Sequence, residues 1–331
     1  MNVLVTGGAG YIGSHTCVAL LEAGHDVVIV DNLCNSEIRT VKNIEKITGK
    51  SVSFYEIDVT ESYLLSEICA NHKIDGVLHF AALKAVGEST QKPLHYYQNN
   101  VISTMNVAKI CLEKGINRFV FSSSATVYGE GEVPFKEEQK LLPSTNPYAE
   151  SKVMSERILK DIVLANKCFG VALLRYFNPI GAHKSGLLGE APRGIPNNLM
   201  PYITQVAKGK REKLSIYGKD YATLDGTGVR DYIHVLDLAD GHVKALEKLT
   251  AGSYVYNLGT GKGTSVLELI NTFMQVNDID IPFEIVDRRP GDIAECYAAT
   301  EKAKKELGWK FKYTLEEMCR DSWNFEKNLN R

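Results

Sequence analysis

The feature that most constrains this chain lies within its first thirteen residues, where Asn2-Val-Leu-Val-Thr6 runs directly into Gly7-Gly8-Ala9-Gly10-Tyr11-Ile12-Gly13. Glycines at 7, 10 and 13 permit a tight turn, close backbone approach to a diphosphate, and close packing of helix on strand. The helix that opens next offers unpaired N–H groups and the positive end of its dipole to an anion. Three glycines alone are weak evidence, but Asp31 ends a second strand-like run eighteen residues after Gly13. A carboxylate there accepts hydrogen bonds from an adenosine ribose and repels a 2′-phosphate, so the loop reads as a site for NAD rather than NADP.

The pattern around this loop agrees. Strand-like runs occur at Asn2–Thr6, Asp26–Asp31, Val52–Ile57, Gly76–Phe80, Arg118–Ser122 and Gly170–Arg175. Helical periodicity fills the intervals at Ile12–Ala23, Ser62–His72, Asn99–Lys114 and Tyr148–Asn166. Strands alternating with helices predict an α/β fold with a doubly wound parallel sheet. After about Pro179 the rhythm breaks into a loop-rich stretch, Gly181–Pro201. Strands at Leu214–Tyr217, Ser253–Leu258 and Phe283–Val286, with helix starts at Ser265-Val-Leu-Glu268 and Thr314-Leu-Glu-Glu317, predict a smaller α/β part. The division expected is a dinucleotide-binding domain over 1–180, rejoined by about 229–250, and a smaller substrate-binding domain over 181–331.

Net charge of −2 without long charged blocks argues against nucleic acid as a partner. No apolar run approaches the roughly 18 residues of a membrane span. Seven cysteines without a Cys-x-x-Cys pair predict neither a disulfide framework nor a metal site, and place the chain in the cytoplasm.

Tyr148 and Lys152 fall one helical turn apart, on one face. Solvated helices carry that spacing by chance, but here its neighbours matter. Phe80-Ala81-Ala82, Ser122-Ser123-Ser124 and Arg175-Tyr176-Phe177-Asn178 all sit at carboxyl ends of expected strands. That edge is where open α/β sheets bind ligands. An ammonium and a cationic cofactor ring near Tyr148 favour its phenolate, making it a general base.

These residues resemble the extended short-chain dehydrogenase/reductase family, and within it the UDP-hexose 4-epimerases, over nearly the whole chain. Gly7–His15, Asp31-Asn32-Leu33, His79–Glu88 and Phe121–Gly129 carry the resemblance. So do Leu174–Gly181, Gly194–Tyr202 and Asp225–Gly241, of which the last three stretches are the more specific. The resemblance implies NAD contacts at Gly7, Gly10, Tyr11, Ile12, Gly13, Asp31, Asn32, Asn35, Asp58, Val59, Phe80, Ala81, Lys84, Asn99, Ser122, Tyr148, Lys152 and Phe177. It makes Tyr148 the base, Lys152 its electrostatic partner and Ser124 a donor to the sugar hydroxyl. For a UDP-sugar it implies Ser124, Tyr148, Asn178, Asn197, Asn198, Leu199, Tyr217, Arg230, Arg289, Asp292 and Cys296. Two arginines suit a diphosphate, although either alone also reads as a surface ion pair.

The implied reaction removes the proton of the C4 hydroxyl and the hydride of C4, turns the 4-keto intermediate over, and returns the hydride to its other face and the proton to its oxygen, with NAD retained throughout. Many family members selective for glucose and galactose carry tyrosine where this chain has Cys296, four residues after Asp292. The smaller side chain leaves room for an N-acetyl group at C2, which predicts activity on UDP-N-acetylglucosamine and UDP-N-acetylgalactosamine as well. The bland alternative is a small buried residue in a pocket closed by its neighbours. Two other readings are a nucleotide-sugar 4,6-dehydratase and a nonenzymatic NAD sensor. The first lacks its acidic pair at Ala125-Thr126, and the second has no need of both Tyr148 and Lys152. The resemblance also implies a homodimer joined through the Asn99–Lys114 and Tyr148–Asn166 helices.

Overall fold

The N-terminal strands are apolar along their length because helices cover both faces of the sheet they form. The computed structural model describes residues 1–289 and 291–329. Strands β1 (Asn2–Thr6), β2 (Asp26–Asp31), β3 (Ser53–Glu56), β4 (Gly76–His79), β5 (Arg118–Ser122) and β6 (Gly170–Tyr176) lie parallel in the order β3-β2-β1-β4-β5-β6. All six expected strands are present, with ends moved by about a residue. Successive side chains serve opposite faces. Val3, Val5, Ile29, Leu78 and Leu174 enter one core, while Leu4, Val28, Val77, Phe121 and Leu173 enter the other. Each such side chain contributes about 1.5–3 kcal/mol relative to exposure.

A seventh strand, Gly252–Leu258, pairs in parallel with β6 along its whole length. This corrects the sequence expectation, which assigned the segment to the smaller part. A strand pattern reports its own burial but not its partner. Here the Val235–Lys248 helix packs against the Tyr11–Glu22 helix and delivers the chain to the open edge of β6. Ala303, Leu307 and Trp309 join the same core. The helix expected from Asn99 starts earlier, at Pro93. Proline there sits in the first turn, where its missing N–H costs nothing.

The smaller unit has its own core of Met200, Ile203, Leu269, Phe273 and Met318. Leu214–Tyr217 pairs in parallel with Phe283–Val286, and both expected capping boxes, at Ser265 and Thr314, are formed. Short strands tie this unit to the sheet edge. Asn178–Ile180 pairs with Tyr232–His234, and Val229–Arg230 lies between Thr264–Ser265 and Glu295–Cys296. Among the described residues no helix is long and apolar enough to cross a membrane.

Candidate active site

Gly7 leaves β1 with φ of +71°, and its N–H donates to the Val30 carbonyl at 2.7 Å. A Cβ on Gly7 would lie 2.7 Å from the Ala81 nitrogen, and one on Gly13 2.3 Å from the Gly7 oxygen. Gly10 caps the Tyr11–Glu22 helix without any side-chain bond, so first-turn N–H groups remain for a ligand. This backbone makes a cradle with the shape and the free N–H groups that a diphosphate fits.

Asp31 borders the cradle, accepting hydrogen bonds from Ala9 N–H at 3.0 Å, Leu33 N–H at 2.9 Å and the Ser36 hydroxyl at 2.8 Å. Asn32 donates to Asp58 at 2.8 Å, and Asp58 also accepts from the Thr60 hydroxyl at 2.6 Å. Val59 is buried and Asn35 exposed on the adjoining loop. At the exit of β4, the Ala81 N–H donates to Thr6 at 3.1 Å and the Phe80 ring lies 4.7 Å from that of His242. The Tyr11 hydroxyl reaches across to the Gly181 carbonyl at 2.7 Å. Ile12 is half-buried on the core and Asn99 half-buried on the Pro93–Lys114 helix. The residues present fit a dinucleotide.

The Pro147–Ala165 helix starts at Asn146, whose side chain accepts the Ala149 N–H at 2.9 Å. This cap fixes Tyr148 and Lys152 over the end of β5. Lys152 Nζ donates to the Ser122 carbonyl at 2.7 Å and lies 4.8 Å from the Phe121 ring centre. Burial lowers its pKa to about 7, against a raising influence from Glu156. Ser122 in turn hydrogen-bonds the Tyr176 hydroxyl.

Ser124 caps a single turn, Ala125–Tyr128, with its oxygen accepting from Thr126 N–H at 3.2 Å and the Thr126 hydroxyl at 2.9 Å. Its own proton is left for Tyr148. Burial raises the Tyr148 pKa, while hydrogen bonding with Ser124 and the charge of Lys84 pull it down. The net shift is upward, so within the protein alone burial wins. Lys84, which the sequence reading placed with the cofactor, also acts on this phenol. Lys152 is turned toward Ser122, whereas Lys84 forms an ion pair with Glu190 at 2.9 Å.

On the other side, Cys296 lies in register with Arg230 on the neighbouring strand. Asp231 anchors this region, accepting from Thr260, Gly261 and Ala298 N–H groups at 2.7, 2.9 and 3.2 Å. Cys296 packs on the cluster of Ala125, Tyr128, Phe135 and Phe177. Arg289 stacks 4.8 Å over the Tyr217 ring and pairs with Asp292 at 2.9 Å. Both Arg230 and Arg289 act on the Tyr232 phenol, so the two guanidinium groups share one neighbourhood. Asn178 is held through its backbone, Leu199 opens the Leu199–Ala207 helix, and Asn197 is exposed. Asn198 is turned to Glu190, donating to it at 2.6 Å. Glu190 and Glu156 escape the sequence reading, which has Tyr176 only as part of a strand end. Only Glu156 carries a signal there, a second i+4 step along the Tyr148–Lys152 face.

A family model described as GDP-mannose 4,6 dehydratase matches residues 4–322. The chain is 56% identical over 330 residues to a UDP-glucose 4-epimerase of Pasteurella multocida, covering 99% of this chain and 98% of that one. The chain belongs to the UDP-glucose 4-epimerase family. A Bacillus subtilis UDP-glucose 4-epimerase is 54% identical over 100% of this chain and 98% of its own length. The solved UDP-glucose 4-epimerase of Bifidobacterium longum, in complex with NAD+ and UDP, superposes with a TM-score of 0.96 at 50% identity, covering 99% of this chain and 98% of that one. A dehydratase name on the family model does not change the local chemistry of this epimerase-family chain. Where the acidic pair would stand, Ala125 and Thr126 close a turn capped by Ser124.

Proposed function

We propose that the chain interconverts UDP-glucose and UDP-galactose by inverting C4 of the sugar, with NAD as its retained cofactor. The observation that carries this reading is the convergence of Tyr148, Ser124, Lys84 and Lys152 at the ends of β4 and β5. Gly7, Gly10, Tyr11, Ile12, Gly13 and Asp31 hold the NAD diphosphate and ribose, with Asn32, Asn35, Asp58, Val59, Phe80, Ala81, Asn99, Ser122 and Phe177 completing its surroundings. NAD, when bound, accepts the C4 hydride and gives it back.

The protein's own groups manage the proton and the sugar. Tyr148 takes the C4 hydroxyl proton and later returns it, with Ser124 donating to the same centre. Lys84 and Lys152 add positive charge on that side of the site, which favours the phenolate. Arg230 and Arg289 grip the diphosphate, while Asn178, Asn197, Asn198, Leu199, Tyr217 and Asp292 line the nucleotide and sugar. That remote anchor lets the 4-keto sugar turn without leaving.

N-acetylated substrates belong to the same proposal, supported by the small Cys296 side chain beside Ala125 and Phe177. A homodimer is supported by Leu94, Ile102, Met105, Met154 and Leu164, large apolar side chains left exposed on two helices that pack together. Cytoplasmic residence is supported by seven free cysteines. Proton NMR of the purified protein with UDP-galactose or UDP-N-acetylgalactosamine, without added reductant, tests the whole reading. Conversion of both to gluco epimers is expected. Conversion of neither by NAD-loaded protein would overturn it.

A further inference from the structure

The helix that carries Tyr148 and Lys152 has a third member on the same face, one turn on. Glu156 is 1% exposed, and a buried carboxylate requires compensation from its neighbours. Arg175, at the end of β6 and 2% exposed, meets it through two bonds, Nε to Oε1 at 2.9 Å and Nη2 to Oε2 at 2.6 Å. Ser123 donates to the same Oε1 at 2.6 Å, and Lys160 stands 3.7 Å from Oε2. Three consecutive serines at the end of β5 thus meet three turns of one helix. Ser124 acts on Tyr148, the Ser122 carbonyl accepts from Lys152, and the Ser123 hydroxyl holds Glu156. Apolar side chains could fill this contact without desolvating charges, and such replacements of buried ion pairs are often neutral or stabilising. Stability alone is a poor account of these charges.

We propose that Glu156, clamped by Arg175 and Ser123, is a positioning residue for the epimerase reaction, holding Lys152 charged and aligned on the Ser122 carbonyl beside Tyr148. The inference rests on the epimerase reading. Burial depresses Lys152, and Glu156 is the group that opposes this. Burial would raise the Glu156 carboxyl, but its bonds to Arg175 and Ser123, with Lys160 nearby, more than offset that and keep it ionised. Among the described residues, the other groups around Lys152 do not supply a negative charge. Tyr148 on its own helix is held protonated by burial. His79 of β4 is pushed down to about 3 by burial and is neutral. Phe121 and the Ser122 carbonyl face Lys152 from β5. From the Pro93–Lys114 helix, the uncharged Asn100 and Thr104 reach Ser151 and His79.

The test compares Glu156→Gln with the double variant Glu156→Gln/Arg175→Gln, which leaves no lone guanidinium buried. Steady-state kinetics on UDP-galactose are measured against pH, with circular dichroism and NAD content checking the fold. The expected result is a fall in kcat of about tenfold with KM nearly unchanged, and an alkaline limb lowered by about one pH unit, because Lys152 loses its proton sooner without the anion. In a Lys152→Met background the same substitutions should cause no further loss. A folded, NAD-loaded double variant with the wild-type pH profile overturns the proposal, as does an additive loss in the Lys152→Met background. Ser123→Ala keeps both charges and covers the case in which the charge variants do not fold. It should move the alkaline limb in the same direction by less, and an unmoved limb overturns the proposal. Wild-type protein run in parallel separates the two levels, since its failure to epimerise rejects the epimerase reading instead.

Discussion

Lys84 Nζ lies 2.9 Å from Glu190 Oε1, and the Asn198 amide donates to the same oxygen at 2.6 Å. One carboxylate therefore joins the Lys84 cation to the Asn198 amide, which are proposed to serve the cofactor and the substrate. Because the Lys84 charge favours the Tyr148 phenolate, Glu190 partly cancels that influence. In Glu190→Gln the lysine charge stands uncompensated and Tyr148 ionises at lower pH. The acid limb of kcat for UDP-galactose should move down by about a few tenths of a pH unit. A limb that stays in place means the Lys84 charge does not reach the phenol.

Tyr148→Phe removes the hydroxyl proposed to accept the proton of the C4 hydroxyl while leaving the ring in its packing. Turnover should fall by roughly 10²–10⁴-fold, the usual contribution of a positioned acid–base group, with KM changing little. Initial rates on UDP-galactose check this, and full turnover by the variant sinks the proposed mechanism.

Lys152 is a stability liability that the site retains. Its folded pKa of about 7 lies below that of an unfolded lysine, so between those values the unfolded chain holds a proton that the folded chain has lost. Wild-type stability should therefore rise with pH through that interval. Lys152→Met removes the buried cation, should flatten the rise, and should add about 1 kcal/mol at pH 6 while abolishing most activity. Urea unfolding at several pH values measures both effects. A destabilised Lys152→Met would show that the bond to Ser122 outweighs the desolvation.

Cys296→Tyr adds a ring beside Ala125 and Phe177. Turnover of UDP-N-acetylgalactosamine should be lost, while UDP-galactose turnover stays within about tenfold of wild type. Equal effects on both substrates would assign the pocket limit to other side chains.

Met105 is 49% exposed and Met154 39% exposed, on helices packed side by side. Replacing both with glutamate would put four carboxylates into the proposed dimer seam, two from each copy, where they could not be solvated. Light scattering should show a dimer for wild type and a monomer for the double variant. An unchanged mass places the interface elsewhere.

Much of the cofactor half is written locally. Gly7, Gly10, Gly13 and Asp31 announce themselves because a tight turn and the proposed ribose contact each demand particular residue types within one strand–turn–helix unit. The Tyr148–Lys152 spacing is equally local, since helix geometry places residues four apart on one face. The Gly252–Leu258 strand was recognisable as a strand but not as the seventh member of the main sheet, because pairing depends on which edge remains open.

The amino-acid order by itself determined the alternating strands and helices, the glycine cradle, the capped helix starts and the helical face of Tyr148 and Lys152, all features set within a few residues by backbone geometry. Only the tertiary structure decided that Lys84 acts on Tyr148, that Glu190 links Lys84 to Asn198, that Arg175 and Ser123 hold Glu156, and that Cys296 lies beside Arg230. Those relationships join residues distant in the chain. Burial and charge act through space, so their strength is set by the packed fold rather than by neighbours in sequence.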